Sequence, residues 1–213
     1  PFFSIEKMRT AKLTIGKVFS LISILVLFQL LFPNAYSYWD YDDGGSHDHD
    51  FDIDAVVRVD YQKPAEQTTV NILPPYGETS GLRAYEDSIV NVSGGLIRNF
   101  LTTHGRSQLN VSGGSIQGVG IWDDSEANFA GGYIDWSLSA GDNARVSLSG
   151  AEIGDDLQAY DQSCITVTGG TIGEAIFAGS DIGSPFENSS IIFVGTEFTI
   201  NGKSVDYDEY FAS

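Results

Sequence analysis

The chain has 213 residues, 29 acidic against 11 basic, a formal charge of −18 and a pI near 4.2, with 24 Gly, one Cys and 12% aromatic residues. That is enough chain for one domain with its own core. The charge excludes recognition of nucleic acid or an anionic membrane through a basic patch, and the lone Cys excludes an intrachain disulfide framework or a Cys-rich zinc site.

Taken in chain order, the first 37 residues stand apart. Met8 opens a basic run with Arg9, Lys12 and Lys17, followed by the apolar stretch Val18 to Phe32 and then Pro33-Asn-Ala-Tyr-Ser37. A basic, an apolar and a small-residue region in that order predict a secretory signal cut after Ser37, with residues 1 to 7 as upstream read-through. The competing reading is a membrane anchor, for which the apolar run is short. Without this leader the chain keeps 28 acidic and 7 basic residues, with no further membrane span expected.

Residues 38 to 60 run Tyr-Trp-Asp-Tyr-Asp-Asp-Gly-Gly-Ser-His-Asp-His-Asp-Phe-Asp-Ile-Asp and on to Asp60. So many like charges repel one another and offer little to bury, which predicts a mobile acidic arm over Tyr38 to Asp50 and cap material up to Asp60. His47 and His49, beside Asp48 and Asp50, are the imidazoles of a candidate divalent-metal site, although neighbouring residues alone rarely close a coordination shell.

From residue 61 to 213 the sequence repeats itself. Ser88-Ile-Val-Asn-Val-Ser-Gly-Gly-Leu-Ile97 aligns without gaps with the segments beginning at Ser107, Ser125, Ala144 and Ser163, and their second small residues, Gly95, Gly114, Gly132, Ala151 and Gly170, are spaced 19, 18, 19 and 19 apart. A sixth copy is Ile191 to Phe198, after an insertion around Ser184 to Ser189, and a degraded earlier one contains Val70-Asn-Ile72 and Leu82-Arg-Ala84. The apolar residues alternate, so Val90/Val92, Leu109/Val111, Ala127/Phe129, Val146/Leu148, Ile165/Val167 and Ile191/Phe193 point inward and Asn91, Asn110 and Asn128 outward. Beyond the Gly corner, Ile97, Ile116, Ile134, Ile153, Ile172 and Phe198 recur, then Leu101, Leu138, Leu157 and Ile176. A period of about 19 residues leaves no room for a crossover helix, so each copy stacks on the next. The prediction is an all-β, single-chain parallel β-solenoid of six to seven rungs, right-handed by the general preference of parallel connections, with Asp206 to Phe211 as its C-terminal cap. A Greek-key sandwich is the competing all-β arrangement and needs no such constant period.

The motif Ser-x-Val-Asn-Val-Ser-Gly-Gly-x-Ile, preceded by Leu-x-Ala-Tyr-Asp/Glu-x-Ser at Leu82 to Ser88 and Leu157 to Ser163, resembles the repeats of secreted bacterial β-helix proteins of planctomycetes and marine bacteria. Thr68 to Leu73 and Gly195 to Lys203 are similar to the first and last repeats of that family. Many members carry a Pro-Glu-Pro sorting tail, which the chain lacks before Ser213. The resemblance implies the β-helix and a secreted or cell-surface location, and leaves activity open.

Three kinds of outward residue are candidates for function. Asp123, Asp124, Asp142 and Asp161 fall at one edge of neighbouring rungs with Glu86 and Asp87, interrupted by Arg106. Like charges one rung apart repel, and calcium coordinated loosely by their oxygens would relieve this, although the Gly-Gly-x-Gly-x-Asp calcium repeat is absent. Tyr85, Trp122 and Tyr160, with Trp136, are candidates for stacking on sugar rings. Asp155 and Asp156, with the same edge carboxylates, are the candidate acid and base pairs of a pectate-lyase-like polysaccharide lyase or glycoside hydrolase. The minimal rungs argue against a walled groove, and Asp in turns ordinarily bonds backbone and stays wet. Asn91, Asn110 and Asn188 fit the glycosylation acceptor pattern but read more simply as outward Asn positions. Cys164, with no His nearby in sequence, reads as an unreactive thiol. The residues together predict a non-enzymatic, structural or adhesive surface solenoid that displays polar ladders to a polysaccharide, a cation or a surface protein.

Overall fold

The computed structural model describes residues 37–61, 67–179 and 188–195, together with the backbone of 198–200 and 203–205. The predicted leader, the insertion around Ser184 and the cap at Asp206 to Phe211 lie outside these residues. The described chain is a β-solenoid of about seven turns, with no helix.

One side is an eight-stranded parallel sheet in which Ser46–His49, Thr69–Ile72, Ile89–Val92, Gln108–Val111, Glu126–Phe129, Arg145–Leu148, Cys164–Val167 and Ser190–Phe193 follow one another in chain order. The register is that of the sequence repeat: Val90 pairs with Leu109, Leu109 with Ala127, Ala127 with Val146 and Val146 with Ile165. A second parallel sheet of eleven strands bends round a corner. Its early members, Ile53–Val59, Glu78–Ala84 and Leu96–Thr103, carry register shifts there, and from Tyr133 onward each rung crosses the corner as two short strands, such as Tyr133–Ile134 and Leu138–Ala140. Each interior strand hydrogen-bonds to the rungs on either side, and like side chains stack in inward ladders.

The core is the sum of these ladders. Val90, Val92, Leu109, Val111, Ala127, Phe129, Val146, Leu148, Ile165 and Val167 are buried, as are Ile97, Ile116, Ile134, Ile153, Leu101, Leu138 and Leu157. Sizes compensate between rungs: the small Ala127 sits in the rung whose next inward residue is Phe129, which lies in register between Val111 and Leu148. Burial of this kind is the main stabilising contribution, roughly 25 cal/mol per Å² of apolar surface. At the turns, Ser88, Ser107, Ser125 and Ser163 form a further buried column. The Gly corner is a close approach of backbones. Gly95 has φ +79°, and a Cβ there would collide with the Gly77 carbonyl oxygen.

The fold corrects the sequence reading in four places. Residues 38–49 are not a mobile arm: Tyr38–Tyr41 pairs in parallel with Ile53–Val59 and Ser46–His49 with Thr69–Ile72, making a first rung. Ile53–Val59 is likewise a core strand, with Val57 and Val59 fully buried, so the solenoid includes residues 38–60 and does not wait for residue 61. The inward position after Ile116 is Val119, which pairs with Leu138, so the short 18-residue copy has lost its residue between Ile116 and Val119. Finally, Phe198–Ile200 does not continue a parallel ladder but pairs antiparallel with Lys203–Val205.

Candidate functional site

The acidic edge is built from turns. In successive rungs the first central turn residue is Glu86, Gly105, Asp123, Asp142 and Asp161, with φ of +53°, +70°, +59°, +54° and +57°. This left-handed region is strained for most side chains and tolerated best by Gly, Asn and Asp, which explains the residue choice. The turns close through Ser125 N–H to the Trp122 carbonyl at 3.3 Å and Ser163 N–H to the Tyr160 carbonyl at 3.0 Å.

The predicted row of carboxylates is therefore present, and backbone groups occupy much of it. Asp123 Oδ2 accepts from Gly105 N–H at 2.9 Å, Asp142 Oδ2 from Asp123 N–H at 3.1 Å, and Asp124 Oδ1 from Asn143 Nδ2 at 2.9 Å. The carboxylates thus lace one turn to the next. Arg106 interrupts the row as expected and grips both oxygens of Asp87, at 2.8 and 2.7 Å. Its guanidinium holds the Asp87 carboxyl below the usual carboxylate range. Among the described residues no three His, Cys, Asp or Glu side chains converge as metal ligands do. Asp156, a candidate for catalysis, accepts from Ala175 N–H and from Gln158 Nε2, each at 3.1 Å. A shallow open depression lined by Leu96, Arg98, Ser115, Gln117, Tyr133 and Asp135 contains one carboxylate, not a pair.

His47 and His49 point inward from the first rung, in register with Val70 and Ile72. His47 Nε2 lies 2.7 Å from Asp43 Oδ1. His49 is fully buried, with Nδ1 3.4 Å from Tyr41 Oη, Nε2 3.3 Å from the Glu78 carbonyl and its ring 4.7 Å from that of Phe51. Burial holds its pKa below the usual imidazole value. Together with Trp39 and Tyr41, in register with the buried Val57 and Val59, these rings form the first layer of the core among the described residues.

On the outer face of the eight-stranded sheet an amide ladder runs through four rung boundaries. Asn71 Nδ2 donates to Asp48, Asn91 to Asn71, Asn110 to Asn91 and Asn128 to Asn110, at 2.8, 2.8, 3.0 and 3.2 Å. Asn91 and Asn110 are thus engaged as ladder members, as their outward placement predicts.

The candidate stacking residues Tyr85, Trp122 and Tyr160 occupy equivalent positions of their rungs, each just before the acidic turn residue. Their ring faces are used differently. Tyr85 is stacked on His104 (5.4 Å, 16°) and touches Tyr61 (5.2 Å), so one of its faces is covered by a neighbour. Trp122 lies across Gly120 and Gly141. Tyr160 meets Phe177 at 5.6 Å. Phe100, which the sequence reading passed over, covers Gly118 and meets Trp136 edge-on at 5.7 Å. The sequence signal for it was the pair Gly118 and Gly120 at outward positions of a strand, where Gly often marks a close approach. Comparison with protein-family models, curated proteins and solved structures returned no match to this chain.

Proposed function

We propose that the chain is a secreted or cell-surface structural and adhesive solenoid, which presents ordered outward side chains to an extracellular polysaccharide, a surface protein or calcium, without catalysis. The observation that carries this reading is the continuity of the outward ladders: the Asp48–Asn71–Asn91–Asn110–Asn128 chain on one face and the laced Asp turns on an edge. Such a surface offers chemically uniform groups at one fixed spacing, about 4.8 Å, which suits a repeating partner better than a single small molecule. The basic-apolar-small leader at Met8 to Ser37 supports export. The carboxylates along the Asp edge support a loose calcium role, since a divalent ion would offset their mutual repulsion.

The test is thermal melting with and without millimolar calcium, alongside incubation with a panel of acidic polysaccharides assayed for released product. A melting temperature raised by calcium with no cleavage supports the display reading. Release of product from any polymer overturns it and assigns the Asp edge to catalysis.

A further inference from the structure

We infer that the bent sheet carries a binding face for a neutral polysaccharide chain, formed by Phe100, Trp136 and Trp122 around Gly118, Gly120 and Gly141. The inference rests on the display reading and gives it a location and a ligand class. Opposite edges of the Trp122 indole rest where side chains of two glycines would be: a Cβ on Gly120 would be 2.6 Å from Nε1, and one on Gly141 would overlap the six-membered ring. One ring face is therefore turned to the sheet and the other outward. A Cβ on Gly118 would be 2.7 Å from Phe100, so this ring too is seated on backbone. Gly118 and Gly120 lie two residues apart on one strand, about 7 Å, which places the Phe100 and Trp122 rings on one side of that strand, with Trp136 edge-on to Phe100 at 63°. Phe100 is 52% and Trp136 42% exposed.

Exposed rings held in place by the fold lose little freedom on binding, and their electron-rich faces attract the C–H groups that line the flat side of a pyranose. Polar groups suited to sugar hydroxyls lie beside them. Ser139, in register with Gly120, donates to Gln158 Oε1 at 2.9 Å, and Tyr160 Oη donates to the same atom at 2.9 Å. The outward row Thr102, Gly120, Ser139 and Gln158 is uncharged within a chain of charge −18, with the exposed Arg83 next in register beyond Thr102. The acidic turns border it directly, since Trp122 precedes Asp123 and Tyr160 precedes Asp161, and they repel an anionic polymer. The uncharged row and its acidic border together select a neutral glycan.

The experiment is affinity electrophoresis of the whole chain through gels containing hydroxyethylcellulose, xyloglucan or galactomannan, with polygalacturonate as the acidic control and tryptophan fluorescence as a second readout. At least one neutral polymer is expected to retard the chain and shift its emission. Trp122→Ala/Trp136→Ala is expected to weaken that retardation at least tenfold with an unchanged circular dichroism spectrum, while Tyr38→Ala keeps it. Failure of all three neutral polymers to retard the parent chain, or retardation by polygalacturonate alone, overturns the proposal. Retardation that survives the double substitution removes this face and leaves the display reading standing. Self-association of the parent chain that the double substitution abolishes assigns the face to a second copy instead.

Discussion

Phe129→Ala tests the stacking logic at its centre. Phe129 is 1% exposed and lies in register between Val111 and Leu148, in a rung where the preceding inward residue is only Ala127. Truncating a buried Phe costs about 3–5 kcal/mol, of which part reflects how far the surroundings can collapse into the space. Here the neighbours are fixed by hydrogen bonds to rungs on both sides, so the upper half of that range is expected. Against a total stability of about 5–15 kcal/mol, and with about 2–4 °C lost per kcal/mol for a domain of this size, the melting temperature should fall by about 8–20 °C. Urea titration followed by far-ultraviolet circular dichroism gives the free energy directly. Phe129→Leu, which keeps most of the volume, should recover more than half of the loss. A cost below about 1 kcal/mol for the Ala variant would show that Phe129 does not fill the core ladder, and would refute the inward assignment for that rung.

Two other outcomes are expected. His49 has a folded-state pKa below the ordinary 6.5 because of burial, so the folded chain binds fewer protons than the unfolded one as pH falls through that value. Stability is therefore full above pH 6.5 and declines below it. His49→Phe should flatten the melting temperature between pH 7 and pH 5, and an unchanged slope would place the titration elsewhere. Asn110→Val removes one donated and one accepted amide bond, to Asn91 and from Asn128. At about 0.5–1.5 kcal/mol per bond, discounted for its partial exposure, the variant should lose about 1–2 kcal/mol in the same urea titration. A gain in stability would mean that the ladder orders the face without holding it together.

The rung architecture was legible because two periods coincide: alternation within each strand and near-constant spacing between copies. The inward residues from Val90 to Val167 followed from them directly. The first rung was hidden by its own charge. Trp39 and Tyr41, and His47 and His49, alternate as inward residues should, but Asp40 and Asp48 between them read as a solvated leader. The sequence does not show that Arg58 reaches Asp40 with two bonds of 2.6 Å, or that Asn71 reaches Asp48. Val119 was missed because one residue is deleted upstream of it, which moves an inward position by one and presents Gly120 where a Leu was expected. The antiparallel partner of Phe198–Ile200 had a local signal, the Asn201-Gly202 pair favoured in two-residue hairpins, which the search for repeats overrode. The outward glycines Gly118, Gly120 and Gly141 hinted at close approaches, but which ring fills each seat depends largely on side chains from neighbouring rungs, which no local pattern encodes.

The cross-rung hydrogen bonds have a mechanical consequence. They run along the stacking direction, and a single covalent strand passes from each turn to the next. Tension between the ends of the stack passes through every boundary in series, and an end rung, bonded on one side only, peels first while the interior stays intact. Each released turn of about 19 residues would add about 60 Å of contour. A chain anchored at one end and pulled at the other would thus yield in regular steps, absorbing work at each, and would re-form by laying turns back onto the template that remains.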